Sequence, residues 1–280
     1  MNCAQNRAGL VVGLLRLVKE LTKKIFSKFG YLIVNENFLR SSTHFSYEPI
    51  DQNLRLSQAE IETLSLFRND RYLYCNELRW RIFLQTGIPL HGLTIFEPGA
   101  GIGDQTQWLL NRGASKIIVN EGRIVNLSII RKRFENDSRV TTLLGNLEDC
   151  LQLPEFKFEV DLIFMWGVYY HINDPIPDFP ILKQLAQKAN VVVFDYLESA
   201  TGIDYIEIYE GDIQSASVSQ ASGRPTRDSI VTGLRTAFGY AYFPIEQMEW
   251  HDPDAPNTPR RIIIGSKTPL IYSGLVEVKS

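Results

Sequence analysis

Leu93-Thr94-Ile95-Phe96-Glu97-Pro98-Gly99-Ala100-Gly101-Ile102-Gly103-Asp104 is the stretch on which the reading of this 280-residue chain turns. An apolar run stops at an acid, passes three alternate glycines and leads to Trp108, Leu109 and Leu110. A short run of β-branched and aromatic residues predicts a buried strand over 93–97. Glycine reaches backbone angles closed to other residues and lets a ligand approach without meeting a Cβ. Asp104 with Gln107 fits a capping box, so the spacing predicts a helix over 104–112, with Gly113 as its C-cap. The loop then lies where a strand's carboxyl end meets a helix N-terminus, the usual ligand position of an open α/β sheet.

The spacing also bears on the ligand. The dinucleotide fingerprint G-x-G-x-x-G requires a third glycine where this chain has Asp104. An acid at that mouth repels a pyrophosphate and suits a cationic centre beside an adenosine. A second strand, Ile117-Ile118-Val119-Asn120-Glu121, ends in an acid 18 residues after Gly103. That is close to the offset, ~20 residues, at which a carboxylate takes ribose hydroxyls. A nicotinamide dehydrogenase is disfavoured on these grounds. A cofactor-binding scaffold without catalysis fits the loop as well as an enzyme does.

Glu97-Pro98-Gly99-Ala100-Gly101-Ile102-Gly103 resembles motif I of the class I S-adenosylmethionine-dependent methyltransferases. Glu121-Gly122-Arg123 resembles their ribose-binding acid, and Gly167-Val168-Tyr169-Tyr170-His171 resembles the GVLYH segment of one branch. The resemblance implies an α/β fold with a doubly wound, Rossmann-like, seven-stranded and mostly parallel sheet. N-terminal cap helices and a lid after strand five go with it. It also implies S-adenosyl-L-methionine as cofactor. The positions that match its binding residues are Glu97, Gly99, Ala100, Gly101, Gly103, Asp104, Glu121, Gly122, Asn146, Leu147, Trp166 and Gly167. Asn146 is a departure, because the family carries an acid there to accept from the adenine amino group. An amide oxygen can still accept that bond, and Asp149 is a fallback.

Composition sets the frame for these motifs. The chain is 44% hydrophobic and 22% charged with a net charge of -3, which fits one large globular α/β domain. That balance argues against a surface built to neutralise many phosphates. Cys3, Cys75 and Cys150 are odd in number and widely spaced, as expected of reduced thiols in a cytoplasm. His44, His91, His171 and His251 show no ligand spacing, so no metal site is expected.

Residues 1–60 read as an N-terminal helix with a linker, 61–270 as the methyltransferase domain, and 271–280 as a C-terminal tail. Within 1–30, Leu10, Leu14, Leu17, Val18, Leu21, Ile25 and Phe29 recur at helical spacing, and six basic residues oppose Glu20. Its apolar run is too short for a membrane span, which needs ~20 residues. A cap packed on the domain or on a second subunit is one reading, and an interfacial helix on anionic lipid is the other. Helical spacing returns over 57–86, where Tyr72, Tyr74 and Arg79 are candidates to line the pocket.

Strands are predicted at 116–120, Val140–Leu144, Val160–Trp166, Val191–Tyr196 and Arg260–Gly265, with helices over 124–136 and 178–188. A lid is expected over about 199–228, centred on Ser215–Ser222, with a helix after it carrying Ile230, Leu234 and Phe238.

Methyl transfer is an in-line displacement that needs collinear placement and a base for a hydroxyl or amine nucleophile. His171 follows strand four at the mouth and titrates near neutrality, which makes it the candidate base, with Asp195 second. Tyr169 and Tyr170 are candidates to wall the substrate, though neighbours on an extended segment point oppositely. Arg224 and Arg227 suit a substrate carboxylate or phosphate, and Trp250 is a candidate to stack on a ring or to pack. A small-molecule or glycan-intermediate acceptor is the leading expectation. A tRNA-modifying methyl or carboxymethyl transferase is the alternative, with RNA disfavoured by the mild acidity.

Overall fold

The computed structural model describes residues 54–153, 159–172, 174, 178–199, 201–203, 205–209, 221–247, 251–252 and 255–279. The helix expected within 1–30, residues 210–220 of the expected lid and Trp250 lie outside the described residues.

Two helices precede the sheet, α1 (Gln58–Phe67) and α2 (Asp70–Thr86). Ser57 and Glu60 form a reciprocal capping box on α1, and Asn69 caps α2 by accepting from the Tyr72 N–H. Then come β1 (Thr94–Pro98), α3 (Asp104–Asn111), β2 (Lys116–Glu121), α4 (Ile124–Arg133), β3 (Val140–Leu144), α5 (Leu147–Gln152) and β4 (Val160–Met165). A 3-10 turn at Tyr169–His171 leads to α6 (Pro180–Lys188) and β5 (Ala189–Leu197). A hairpin of β6 (Tyr205–Tyr209) and β7 (Ala221–Pro225) precedes α7 (Arg227–Phe238), β8 (Tyr240–Pro244), β9 (His251–Asp252), β10 (Ala255–Ser266) and β11 (Leu275–Glu277).

The main sheet runs β11-β8-β10-β5-β4-β1-β2-β3, with β9 paired to β10 off this path. The five strands from β3 to β5 are mutually parallel, while β10 is antiparallel to both β5 and β8. Parallel strands covered on both faces are buried on both, which is why β1, β4 and β5 are largely apolar, while β3 at the edge is only partly buried. Alternate side chains feed two cores. Phe96, Ile163, Met165 and Phe194 pack with α6 and α7, and Ile95, Leu162, Phe164 and Val193 pack with α2 and α3.

Two expectations change. The sheet carries β9 and β11 beyond the seven strands expected, and the expected tail holds β11, antiparallel to β8. Gly274 makes that turn possible, because a Cβ there would overlap the Gln85 carbonyl oxygen at the end of α2. Among the described residues, no helix is long and apolar enough to cross a membrane.

Candidate active site

The glycine loop leaves β1 and enters α3 with Gly99, Gly101 and Gly103 all at positive φ (64°, 59° and 81°). β2 anchors it, since the Gly99 and Ala100 N–H groups both donate to the Asn120 carbonyl (2.8 and 3.3 Å). The Gly101 N–H donates to Glu121 Oε2 (2.8 Å), and the Arg123 N–H donates to Glu121 Oε1 (2.9 Å). The Asn126 side chain donates to the same carboxylate, which leaves a lone pair for a ligand hydroxyl. Gly122 stands in the bend that follows. The side of Gly101 where a Cβ would project is closed: that Cβ would stand 2.8 Å from Phe67 Cε1, at the end of α1. This glycine admits a neighbouring ring as well as a backbone turn.

Asp104 departs from the expected capping box. The N-cap is Gly103, and the Gln107 side chain donates to Asn111 instead. The Asp104 carboxylate is drawn away by two guanidinium groups, Arg68 and Arg133, each at 2.7 Å. The bare acid that the spacing set against a pyrophosphate is therefore neutralised, and the opposition passes to Glu97 and Glu121. Glu97 is the next-to-last residue of β1, and its side chain is buried. Thr106 donates to its Oε2 (2.7 Å), and its Oε1 is buried with no partner. Burial raises its pKa to about 8, against the pull of Thr106 and Arg133, and the charges of Glu121 and Asp104 add to the rise.

Asn146 occupies the N-cap of α5 without using its side chain to cap, so the amide is left for another partner. Leu147 behind it is buried in the core. Trp166 is a correction. Its ring meets Trp80, Phe83 and Phe164 edge to face, on the α2 side of the sheet, and its buried indole N–H has no acceptor. Alternation along β4 sends position 166 to that face. It is core.

Beyond β4, Gly167 at positive φ (71°) donates its N–H to Asp195 Oδ1 (2.5 Å). Asp195 is fully buried on β5, and its Oδ2 accepts from Arg79 Nε and Nη2 and from Arg260 Nη1 (3.1, 2.9 and 2.9 Å). The carboxylate is thus engaged within the chain at the position that the sequence offered as a second base. Burial works against the charge on Arg79, and Asp195 more than restores it. Arg260 was legible only as a charge opening an apolar strand, Arg260-Arg261-Ile262-Ile263-Ile264.

The tyrosine pair divides as alternation requires. Tyr169 turns inward, with its hydroxyl on Asp174 (3.1 Å) and its ring 4.4 Å from Phe194, so it is no substrate wall. Asp174 in turn accepts from the Ile181 and Leu182 N–H groups at the start of α6. Tyr170 stays at the mouth, with its ring 4.2 Å from that of His171. Arg260 Nη2 donates to its hydroxyl (2.9 Å), and the Arg260 and Arg224 guanidiniums lie 4.7 and 5.6 Å from its ring centroid. Arg227 is elsewhere: exposed at the start of α7, it lies over the Phe243 ring at 4.7 Å. The structure thus gathers Tyr170, His171 and Arg224 with Arg79 and Arg260, and separates Arg227 from them.

The fold has counterparts among solved structures. The N-terminal domain of EvdMO1, solved in the presence of SAH and D-fucose, superposes with a TM-score of 0.55 at 18% identity, over 71% of this chain and 84% of that one. The magnesium protoporphyrin IX methyltransferase ChlM from Synechocystis PCC 6803, solved with bound SAH, gives 0.53 at 14% identity, over 75% and 95%. The fold is that of the class I methyltransferases. No protein-family model matches the sequence, and no curated protein does. Within this methyltransferase fold, β10 takes its antiparallel place beside β5 and brings Arg260 to the site.

Proposed function

We propose that the chain is an S-adenosyl-L-methionine-dependent methyltransferase that acts on a small-molecule or glycan-intermediate acceptor. The observation that carries the reading is Glu97, a buried acid with a partnerless oxygen beneath the glycine loop and with Glu121 nearby. A cationic nucleoside relieves that arrangement, and a pyrophosphate aggravates it. Bound there, S-adenosyl-L-methionine supplies an electrophilic methyl on a cationic sulfur.

Glu121 has a lone pair left for a ribose hydroxyl, and the Asn146 amide oxygen has one for an adenine amino group. Glu97 holds a proton until a cation arrives and then answers it with charge. His171, beside Tyr170 at the carboxyl end of β4, is the base for the acceptor's hydroxyl or amine. Its backbone N–H is fixed on the Val168 carbonyl (2.8 Å), which holds the turn that presents the ring.

Titration calorimetry with S-adenosylmethionine and separately with NADH tests this. Heat with the sulfonium compound and none with NADH is expected. Heat with NADH, or none with S-adenosylmethionine, overturns it. His171→Ala then lowers turnover with cofactor affinity intact, and unchanged turnover removes it as the base.

A further inference from the structure

Glu121 receives three donors from the chain itself: the Gly101 N–H (2.8 Å), the Arg123 N–H (2.9 Å) and the Asn126 side chain. A carboxylate offers about four lone-pair sites. The one that remains is enough for one hydroxyl. A ribose presents a pair of them on neighbouring carbons, so the second needs an acceptor of its own.

Asn126 carries such an acceptor. It stands in the first turn of α4 and is only 2% exposed. A carboxylate accepts, so the Asn126 atom that reaches Glu121 is Nδ2, and the amide is thereby oriented. Its Oδ1 is buried with no partner among the described residues. Nδ2 and Oδ1 share one carbon, so the orphaned oxygen stands close to the edge of Glu121. Leaving a buried amide oxygen without a donor is costly, and native chains rarely keep one that nothing completes. α4 buries this amide together with Leu127, Ile129 and Ile130, at a place that packing alone would fill with an apolar side chain.

Resting on the function proposed above, we propose that the two ribose hydroxyls of the cofactor are divided, one donating to Glu121 and the other to Asn126 Oδ1. Asn126 is then a cofactor-binding residue in its own right, as well as the side chain that orients the acid. Each hydroxyl has a separate acceptor, and the two acceptors are bonded to each other. Loss of Asn126 therefore removes the recognition of one hydroxyl and leaves Glu121, still held by two backbone N–H groups, to receive the other.

Titration calorimetry of the full chain with S-adenosylhomocysteine, and with its 2′-deoxy and 3′-deoxy analogues, tests the division. Wild type is expected to bind each analogue about three- to tenfold more weakly than the parent, the worth of one hydrogen bond. In Asn126→Leu the penalty for one analogue is expected to vanish, while the other analogue keeps its own. Penalties equal to those of wild type overturn the contact. So does loss of both together, which means that Asn126 acts only through Glu121. Should Asn126→Leu fail to fold, Asn126→Ala makes the same deletion with a smaller side chain. Wild type alone also overturns the division if it is indifferent to either missing hydroxyl. If S-adenosylhomocysteine binds wild type and an analogue binds as tightly, the division falls and the proposed function stands. If S-adenosylhomocysteine does not bind, the function falls and the division falls with it.

Discussion

Glu97 has two oxygens in unlike surroundings, one receiving the Thr106 hydroxyl and one buried without a partner. Its carboxyl titrates near 4.5 when unfolded and at about 8 when folded. Between those values the native state binds a proton that the unfolded state releases, so stability falls as pH rises, and the full penalty is present above the folded value. Each unit of separation is worth about 1.4 kcal/mol, so several kcal/mol are at stake. Glu97→Gln, which cannot ionise, is expected to melt near wild type at about pH 5 and clearly above it at about pH 9. Calorimetric melts across that range check this, and a constant gap between the two proteins would remove the buried proton. The same variant, having lost the charge that answers a cation, is expected to bind S-adenosylmethionine less tightly than wild type does at neutral pH. The acid itself was legible as the last residue of an apolar run. Its orphaned oxygen was not, because the burial that strands it exists only once β1, α3 and β2 have assembled.

α1 lies across the glycine loop, with Phe67 against Gly101, and one acid fastens it to α4. Glu60 accepts from Lys132 Nζ on both oxygens (2.7 Å each) and from the Ser128 hydroxyl, and it also closes the capping box with Ser57. Burial alone would raise its pKa, and these bonds outweigh burial and lower it to about 2. A depressed folded value gives stability that is present above the unfolded value near 4.5 and lost as pH falls toward 2. Glu60→Gln is therefore expected to lower Tm at neutral pH, with the gap to wild type closing as the solution is acidified. Ser57→Ala removes the cap alone and is expected to cost about 1 kcal/mol, read from urea midpoints. Elements of this kind were legible where periodicity is strong: β1, β2, β4, β5, α6 and α7 stand close to their expected positions. β11 was not, because Leu275–Glu277 is too short to carry a period and depends on Gly274 meeting Gln85. Nor was the hairpin of β6 and β7, whose pairing places Ile206 opposite Arg224.

At the scale of the whole molecule, Asp195 is the point where the parts meet. It joins Arg79 of α2, Arg260 of β10 and the Gly167 N–H after β4, across sequence separations of 116, 65 and 28 residues. Separations of that size leave no local pattern, so the only trace in the sequence was a charge inside Val191-Val192-Val193-Phe194-Asp195-Tyr196. Conformational entropy opposes such long-range closure, and hydrophobic burial on both faces of the sheet must already have drawn the strands together. The carboxylate then fixes how the cap helix, the turn bearing Tyr170 and His171, and the last long strand sit relative to one another. Asp195→Asn keeps the shape and removes the charge, which leaves two buried guanidiniums facing each other. Breaking a buried pair by removing one partner costs about 3–5 kcal/mol. A urea midpoint lowered by that much at an unchanged slope is the expected outcome, since a constant slope means that the same surface is exposed on unfolding. A loss below about 1 kcal/mol, within the worth of a surface pair, would mean that the arginines are held by their other contacts and that Asp195 does not organise the site.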